Sequence, residues 1–306
     1  MSLLVKKLRL CKWNCVGTLI IGTFLLVGCS GTGILPSSSD KLLLTPITDS
    51  PTNTYHTGKF VWADLLTPDA DSARKFYGGL FGWSFKQYGR YTMITSNGKR
   101  VAGIVEVKPE SKKDIEALWL TSMSVADVDK AIEVVREKGG AVLNGPVDME
   151  KRGRGALIKD PQGAQLLLLR AVGGDPEDTD SVAEIGDWIW NEIWTNVPQK
   201  TNEFYTSLAG YDTAQVGSGY EILSREGIWR GGIRYIFKDT YRVRWVPAVR
   251  VSDPEKMLDK VEQLGGVVLL TPDEPPSNGD TALIADPDGA LLMLQRWSSD
   301  PVEEEK

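Results

Sequence analysis

Two short runs of the chain place an indole beside a carboxylate. Trp62 and Asp64 stand two residues apart, and Trp190, Glu192 and Trp194 repeat that spacing twice over. In an extended strand alternate side chains share a face, so each run presents its groups together. An indole next to a carboxylate can stack on a planar ligand and hydrogen-bond it, or hold a cation. The same residues also suit a packed interior in which the indoles fill space and an arginine satisfies each carboxylate, and both uses stay open at this level. Arginines gather near the second run: Arg230 and Arg234 fall in or near one strand, and Arg242, Arg244 and Arg250 alternate along another. Of these, Arg250 is the candidate to meet an anionic ligand or to pair with Glu192. Nucleophilic chemistry has little to work with, because His56 is the sole histidine and the three cysteines, Cys11, Cys15 and Cys29, all lie near the N-terminus. No glycine-rich phosphate loop precedes a helix.

The elements that must carry these groups occur twice. Val61-Trp62-Ala63-Asp64-Leu65 matches Ile189-Trp190-Asn191-Glu192-Ile193, with Phe76-Tyr77 and Gly82 repeated at Phe204-Tyr205 and Gly210. Residues 119–170 match 245–296 at 21 of 52 gap-free positions, too many for accident. Within the first copy, Phe60 to Leu66 alternates as a strand, and Asp69 to Leu80 places Ala73, Phe76, Tyr77 and Leu80 at helical spacing with Gly82 as the stop. Strands are expected near Tyr91 to Thr95 and Val101 to Val107. The pattern restarts at Trp119 to Val125, continues as a helix from Val128 to Lys138 with Gly139-Gly140 as its stop, and ends in strands near 141–143, 155–160 and 165–170. Asp160-Pro161-x-Gly163 and Asp286-Pro287-x-Gly289 read as tight hairpin turns, which account for both aspartates. The fold class is therefore α+β, four βαβββ units in two pairs, with domains over 58–171 and 186–297 joined through the turn-rich 173–178.

The N-terminus has a separate logic. Lys6, Lys7, Arg9 and Lys12 precede a short apolar run, Val16 to Gly28, too brief for a comfortable spanning helix, so residues 1–28 read as a signal peptide. Its end, Leu26-Val27-Gly28-Cys29, resembles the lipobox of bacterial lipoproteins. That resemblance implies lipidation at Cys29, which becomes the new N-terminus, followed by a lipidated tether over 29–57, rich in Ser, Thr, Pro and Gly beyond Cys29. It also implies stable attachment to the bacterial cell envelope, and Ser30 after the cysteine implies sorting to the outer membrane, facing the periplasm. Loss of the signal removes Cys11 and Cys15, so no disulfide is expected, and takes the formal charge from −6 to −6 − 4 = −10. An acidic body argues against nucleic acid and anionic lipid as partners.

Trp62-Ala63-Asp64-Leu65, Phe76-Tyr77 with Phe81-Gly82-Trp83, Val125-Ala126-Asp127-Val128-Asp129, Gly139-Gly140 and Asp160-Pro161-x-Gly163 together resemble the vicinal oxygen chelate superfamily. This is the superfamily of glyoxalase I, extradiol dioxygenases, fosfomycin resistance enzymes and bleomycin-binding proteins. The resemblance implies that two βαβββ units curl into one cup, giving two vicinal oxygen chelate-like cup domains here, with Trp62, Asp64, Leu66, Trp190, Glu192, Trp194 and Arg250 facing the cups. Family enzymes hold a divalent metal in the cup. The ligand positions carried over from the family fall on Trp62, Leu120 and Leu167 in the first copy and on Trp190, Val246 and Met293 in the second, none of which suits such a metal. Glu106 stands where an acidic ligand ends the first unit, but its counterpart is Tyr235. His56 reads as a solvated tether residue.

The expected function is a membrane-tethered, metal-free protein that binds a small organic molecule through Trp62, Asp64, Trp190, Glu192, Trp194 and Arg250, with no cofactor. One alternative is a metal-dependent lyase or dioxygenase with atypical ligands such as Asp64, Glu192 or Glu106. Another is an interaction module for envelope proteins.

Overall fold

The computed structural model describes residues 42–107, 117–179, 181–236, 242–275, 277 and 279–297. The residues read as a signal peptide, Cys29 and the first part of the expected tether lie outside them. The first domain opens with β1 (Phe60–Thr67), α1 (Ala70–Phe81), β2 (Ser84–Tyr88), β3 (Tyr91–Ser96) and β4 (Lys99–Glu106). Its second unit is β5 (Leu118–Ser124), α2 (Val128–Glu137), β6 (Ala141–Met149), β7 (Gly153–Lys159) and β8 (Gln165–Ala171). The second domain repeats this as β9 (Trp188–Thr195), α3 (Pro198–Ala209), β10 (Asp212–Val216), β11 (Tyr220–Arg225) and β12 (Ile228–Tyr235). It closes with β13 (Arg244–Arg250), α4 (Leu258–Gln263), β14 (Val267–Leu270), β15 (Thr281–Ala285) and β16 (Leu291–Gln295).

Each domain is one eight-stranded sheet in the order β2-β3-β4-β1-β5-β8-β7-β6 or its repeat, β10-β11-β12-β9-β13-β16-β15-β14. The two units meet where β1 lies antiparallel to β5, and β9 to β13. Local chemistry sets the helices. Asp69 caps α1 by accepting from the Ser72 amide, Asp127 caps α2 through the Lys130 amide, and Pro198 starts α3. Gly82 and Gly210 end α1 and α3 in the left-handed conformation, as the repeat led us to expect.

The helix-bearing faces of the two sheets pack on each other, and the pairing is crossed. One core joins Phe76, Tyr77 and Leu80 of α1 to Val249, Val261 and Ile284 of the second domain. The other joins Ile132 and Val135 of α2 to Phe204 and Tyr205 of α3. Burying such side chains contributes about 1.5 to 3 kcal/mol each, which makes this the main source of stability. The repeated motifs meet here. Tyr77 donates to Asp286 (3.0 Å) while accepting from the Trp119 indole (2.9 Å), and Tyr205 donates to Asp160 (3.2 Å) while accepting from Trp245 (2.9 Å). The turn aspartates thus do more than shape their hairpins: each binds its own turn amides with one oxygen and a tyrosine of the opposite domain with the other.

Two strands escape a reading by alternation. The edge strands β2 and β10 are largely or wholly exposed, so neither face carries an apolar pattern. β6 runs on to Met149 through Asn144-Gly145-Pro146, with register shifts on both sides of Asn144.

Candidate functional site

The faces turned away from the helices form two cups, and the six positions carried over for metal ligands converge on their floors. Across β1, β5 and β8, Asp64 pairs with Leu120, Trp62 with Ser122, and Ser122 with Leu167. In the second cup Glu192 pairs with Val246, Trp190 with Ala248, and Ala248 with Met293. Among the described residues no group of three His, Cys, Asp or Glu is placed to hold a metal ion. The side chains on these floors do not fit the metal that such cups hold elsewhere.

The first cup is closed over a buried ion pair. Asp64 accepts from the Trp62 indole (2.9 Å), the Tyr91 hydroxyl (3.1 Å) and Nη1 of Arg152 (3.0 Å). Arg152, with no exposed side-chain surface, also donates from Nη2 to Tyr91 (2.7 Å) and lies over the rings of Trp62 and Tyr91. Burial works against the Arg152 charge, but Asp64 and Tyr91 outweigh it and hold the guanidinium above its ordinary range. Burial, then the Asp64 charge, pushes the Tyr91 hydroxyl up, so it stays protonated and donates. Both oxygens of Asp64 are thereby hydrogen-bonded, the arrangement a buried pair requires.

The lid on this cup comes from the segment read as a flexible tether. Over its described part it is docked. Leu42, Leu44 and the buried Ile47 pack on Trp62, Tyr91 and Met93, and the Thr45 carbonyl accepts from Nε of Arg152 (2.7 Å). At the rim, Arg100 binds the Pro46 carbonyl and Asp49. His56 is likewise not a solvated loop residue. Its Nδ1 is 3.2 Å from Asp178, which Lys59 (2.9 Å) and Arg230 (2.6 Å) also bind, and its amide donates to Asp175 (2.7 Å). These contacts fasten the interdomain segment to the residues just before β1 and to β12. Arg230 donates to Asp178 through two nitrogens, and the hydrogen bond from Arg230 is the largest of the effects that hold the Asp178 carboxyl far below the usual carboxylate range.

The second cup uses related residues differently. Glu192, 2% exposed, accepts from the Trp194 indole (2.8 Å) and from Nε (2.6 Å) and Nη2 (3.0 Å) of Arg234. Trp190 donates instead to the Tyr220 hydroxyl (2.5 Å), and the Arg234 guanidinium lies over the Tyr220 ring. Burial, then the Glu192 charge, keeps Tyr220 protonated. Arg250 does not reach Glu192: its side chain binds the Ala183 carbonyl, so Arg234 is the partner and Arg250 holds the interdomain segment. Arg234 is 22% exposed on its side chain and Trp229, stacked edge-on to Trp190, is 55% exposed. No described segment covers these rings.

Reasoning from the strand run alone missed Arg152, Tyr91 and Tyr220. A signal existed for the tyrosines. Tyr91 precedes Gly103, and Tyr220 precedes Gly232, by the same twelve residues. A Cβ at either glycine would collide with the tyrosine hydroxyl, and at Gly103 also with Asp64, so the glycines make room for the hydroxyls over the cup floor.

Comparison with known proteins places this geometry. Residues 59–168 match the model of the Glyoxalase/Bleomycin resistance protein/Dioxygenase superfamily. The chain is 32% identical over 253 residues to "Putative glyoxylase CFP32" of Mycobacterium tuberculosis, covering 78% of this chain and 95% of that protein. It is 27% identical over 257 residues to the anthracycline biosynthesis protein DnrV of Streptomyces peucetius, covering 76% of this chain and 91% of that one. Among solved structures it is similar to the Mn(II)-bound glyoxalase from Novosphingobium aromaticivorans (TM-score 0.56, 12% identity, 79% of this chain and 83% of that chain). Homoprotocatechuate 2,3-dioxygenase from Brevibacterium fuscum, in its E323L mutant, matches similarly (TM-score 0.55, 14% identity, 85% of this chain and 77% of that chain), and both likenesses concern the fold. With cups, repeated units and a relative matched over nearly its whole length, the chain belongs to the glyoxalase/bleomycin resistance protein/dioxygenase superfamily.

Proposed function

We propose that this protein is a membrane-tethered member of the superfamily that binds a small organic molecule in its second cup without a metal. The observation that carries the reading is the difference between the cups. The first is filled by Arg152, Tyr91 and the protein's own residues 42–47. The second keeps Trp190, Tyr220, Arg234 and Trp229 partly exposed around a satisfied carboxylate, with Leu269, Leu270 and Leu291 as an apolar wall. Concave apolar surface with a few convergent polar groups is what small-molecule sites require. Trp190, Glu192, Trp194 and, in place of Arg250, Arg234 are the binding residues in this reading. Trp62 and Asp64 serve packing.

The metal-free part rests on chemistry. Asp64 and Glu192 would have to leave a guanidinium to act as ligands, and the positions carried over for metal ligands, Trp62, Leu120, Leu167, Trp190, Val246 and Met293, offer no carboxylate or imidazole. The relation to an anthracycline biosynthesis protein fits an organic ligand. The resemblance of Leu26-Val27-Gly28-Cys29 to a lipobox supports anchoring in the bacterial envelope, and Ser30 after the cysteine supports the outer membrane, facing the periplasm. Among the described residues no helix is long and apolar enough to cross a membrane.

The test is native mass spectrometry on the full protein solubilised from its own membrane and never exposed to chelator. An acylated chain carrying an organic mass and no metal, with the organic mass lost in Trp229→Ala, is the expected result. Stoichiometric metal would overturn the metal-free claim, and an unacylated N-terminus would overturn the anchor.

A further inference from the structure

The first cup shows what a ligand meets in this architecture, because the chain itself occupies it. The bound segment is uncharged where it touches the floor. Leucine and isoleucine side chains lie on Trp62 and Tyr91, and the one polar contact with the floor guanidinium is a peptide carbonyl, Thr45 on Nε of Arg152. The other nitrogens of that guanidinium are committed to Asp64 and Tyr91. A guanidinium balanced by a buried carboxylate carries no net charge to offer, but it still has a strong donor to spare.

The second cup keeps this logic with the donor supplied from another strand. Strand registers equate Tyr91 with Tyr220, Gly103 with Gly232 and Asp64 with Glu192. Asn278 stands in the repeat where the first copy has Arg152, and the guanidinium comes instead from Arg234, at the register of Val105. Arg234 spends Nε and Nη2 on Glu192, while Nη1 has no hydrogen-bond partner among the described residues. The rim differs as well. Arg100, which clasps the covering segment over the first cup, is replaced at the same register by the exposed Trp229.

We infer that the second cup receives a neutral, carbonyl-bearing aromatic molecule, its carbonyl oxygen on Nη1 of Arg234 and its rings against Trp190 and Trp229. Neutrality follows from the charges. Glu192 is buried and already neutralises Arg234, so an anion would place two negative charges on one guanidinium, and a cation would face an arginine. The aromatic body follows from two indoles whose rings stand 6.4 Å apart at the mouth. The carbonyl follows from the unspent donor and from its counterpart on Thr45. This inference rests on the second cup being the binding site, and it adds the class of ligand.

A matched set of probes tests it on the full detergent-solubilised protein: 2-acetylnaphthalene, 2-ethylnaphthalene and 2-naphthoate, titrated by tryptophan fluorescence. The ketone is expected to bind about tenfold tighter than the hydrocarbon, the size of one hydrogen bond to a charged donor, and tighter than the carboxylate. Replacing the pair together, Arg234→Met with Glu192→Leu, is expected to abolish the preference for the ketone while hydrocarbon binding persists. Equal binding of ketone and hydrocarbon, or tightest binding of naphthoate, overturns the inference and leaves the second cup as a site. Binding of no probe, with Trp229→Ala unchanged in every titration, overturns the site itself and the inference with it.

Discussion

Replacing Arg152 by methionine is expected to destabilise the protein more than any other single change in the first cup. The side chain is wholly buried, and its partner Asp64 is only 8% exposed on its side chain, so the carboxylate has little water to turn to. Removing one member of such a pair costs about 3 to 5 kcal/mol, because the remaining charge stays buried. The Thr45 carbonyl also loses its donor, which loosens the segment covering the cup. We therefore expect a loss of about 4 kcal/mol, or more than ~1 M in the urea midpoint at ~3 kcal/mol per molar for a protein of this size. Limited proteolysis should then cut between residues 42 and 57 faster than in the unaltered protein. The double replacement Arg152→Met with Asp64→Leu removes both charges and should recover about half of the loss. The residue of the cost lies in Tyr91 and Trp62, which lose their shared acceptor. A single variant within about 1 kcal/mol of the parent, or a double variant no better than the single, would refute the claim that this pair closes the cup.

Asp286 supplies a pH dependence of unusual sign. Burial is the main cause that raises its carboxyl from 3.8 to about 6 in the folded protein, so between these values the folded state holds a proton that the unfolded state has released. The contribution of this group to stability is full below pH 3.8 and is lost as pH rises to 6, by about 3 kcal/mol at 1.36 kcal/mol per pH unit. Urea denaturation of the parent and of Asp286→Asn across pH 4 to about 7 should show the parent losing ground to the variant over that interval, and a constant difference would refute it. The two cup glycines should also behave unequally. Gly103→Ala forces a methyl against Tyr91 and Asp64 in a closed cup and should cost about 2 to 3 kcal/mol, whereas Gly232→Ala meets Tyr220, which can swing toward the open mouth, and should cost less than half as much in the same assay.

The repeat made the fold legible. Strand alternation at Phe60 to Leu66, helical spacing at Phe76 and Tyr77, and the stops at Gly82 and Gly210 are local features, and each unit had to bury the face they describe. That Leu120 and Met293 stand where family enzymes hold metal ligands followed from the resemblance to the superfamily. The pairing of charges was not. Asp64 finds Arg152 across 88 residues and Glu192 finds Arg234 across 42, and nothing in the local pattern distinguishes Arg234 from Arg250 as the partner. The two arginines lie on the strands that flank β9, Arg234 on β12 and Arg250 on β13, and only strand order and register settle which one comes within reach.

The same holds for the two cups. Their residues are close to identical in type, since both have a tryptophan, a carboxylate and, at matching distance, a tyrosine before a glycine. What separates them is the strand that supplies the guanidinium, the exchange of Arg100 for Trp229 at the rim, and a short segment, 42–47, that leaves no periodic trace and looks like linker in composition. Composition and periodicity report which faces must be hidden from water, because that cost is summed over neighbours along the chain. Which hidden face meets which distant group is set by the free energy of the whole packed arrangement, and here it closes one cup with the chain's own backbone and leaves Trp229 of the other exposed and Trp190 partly so.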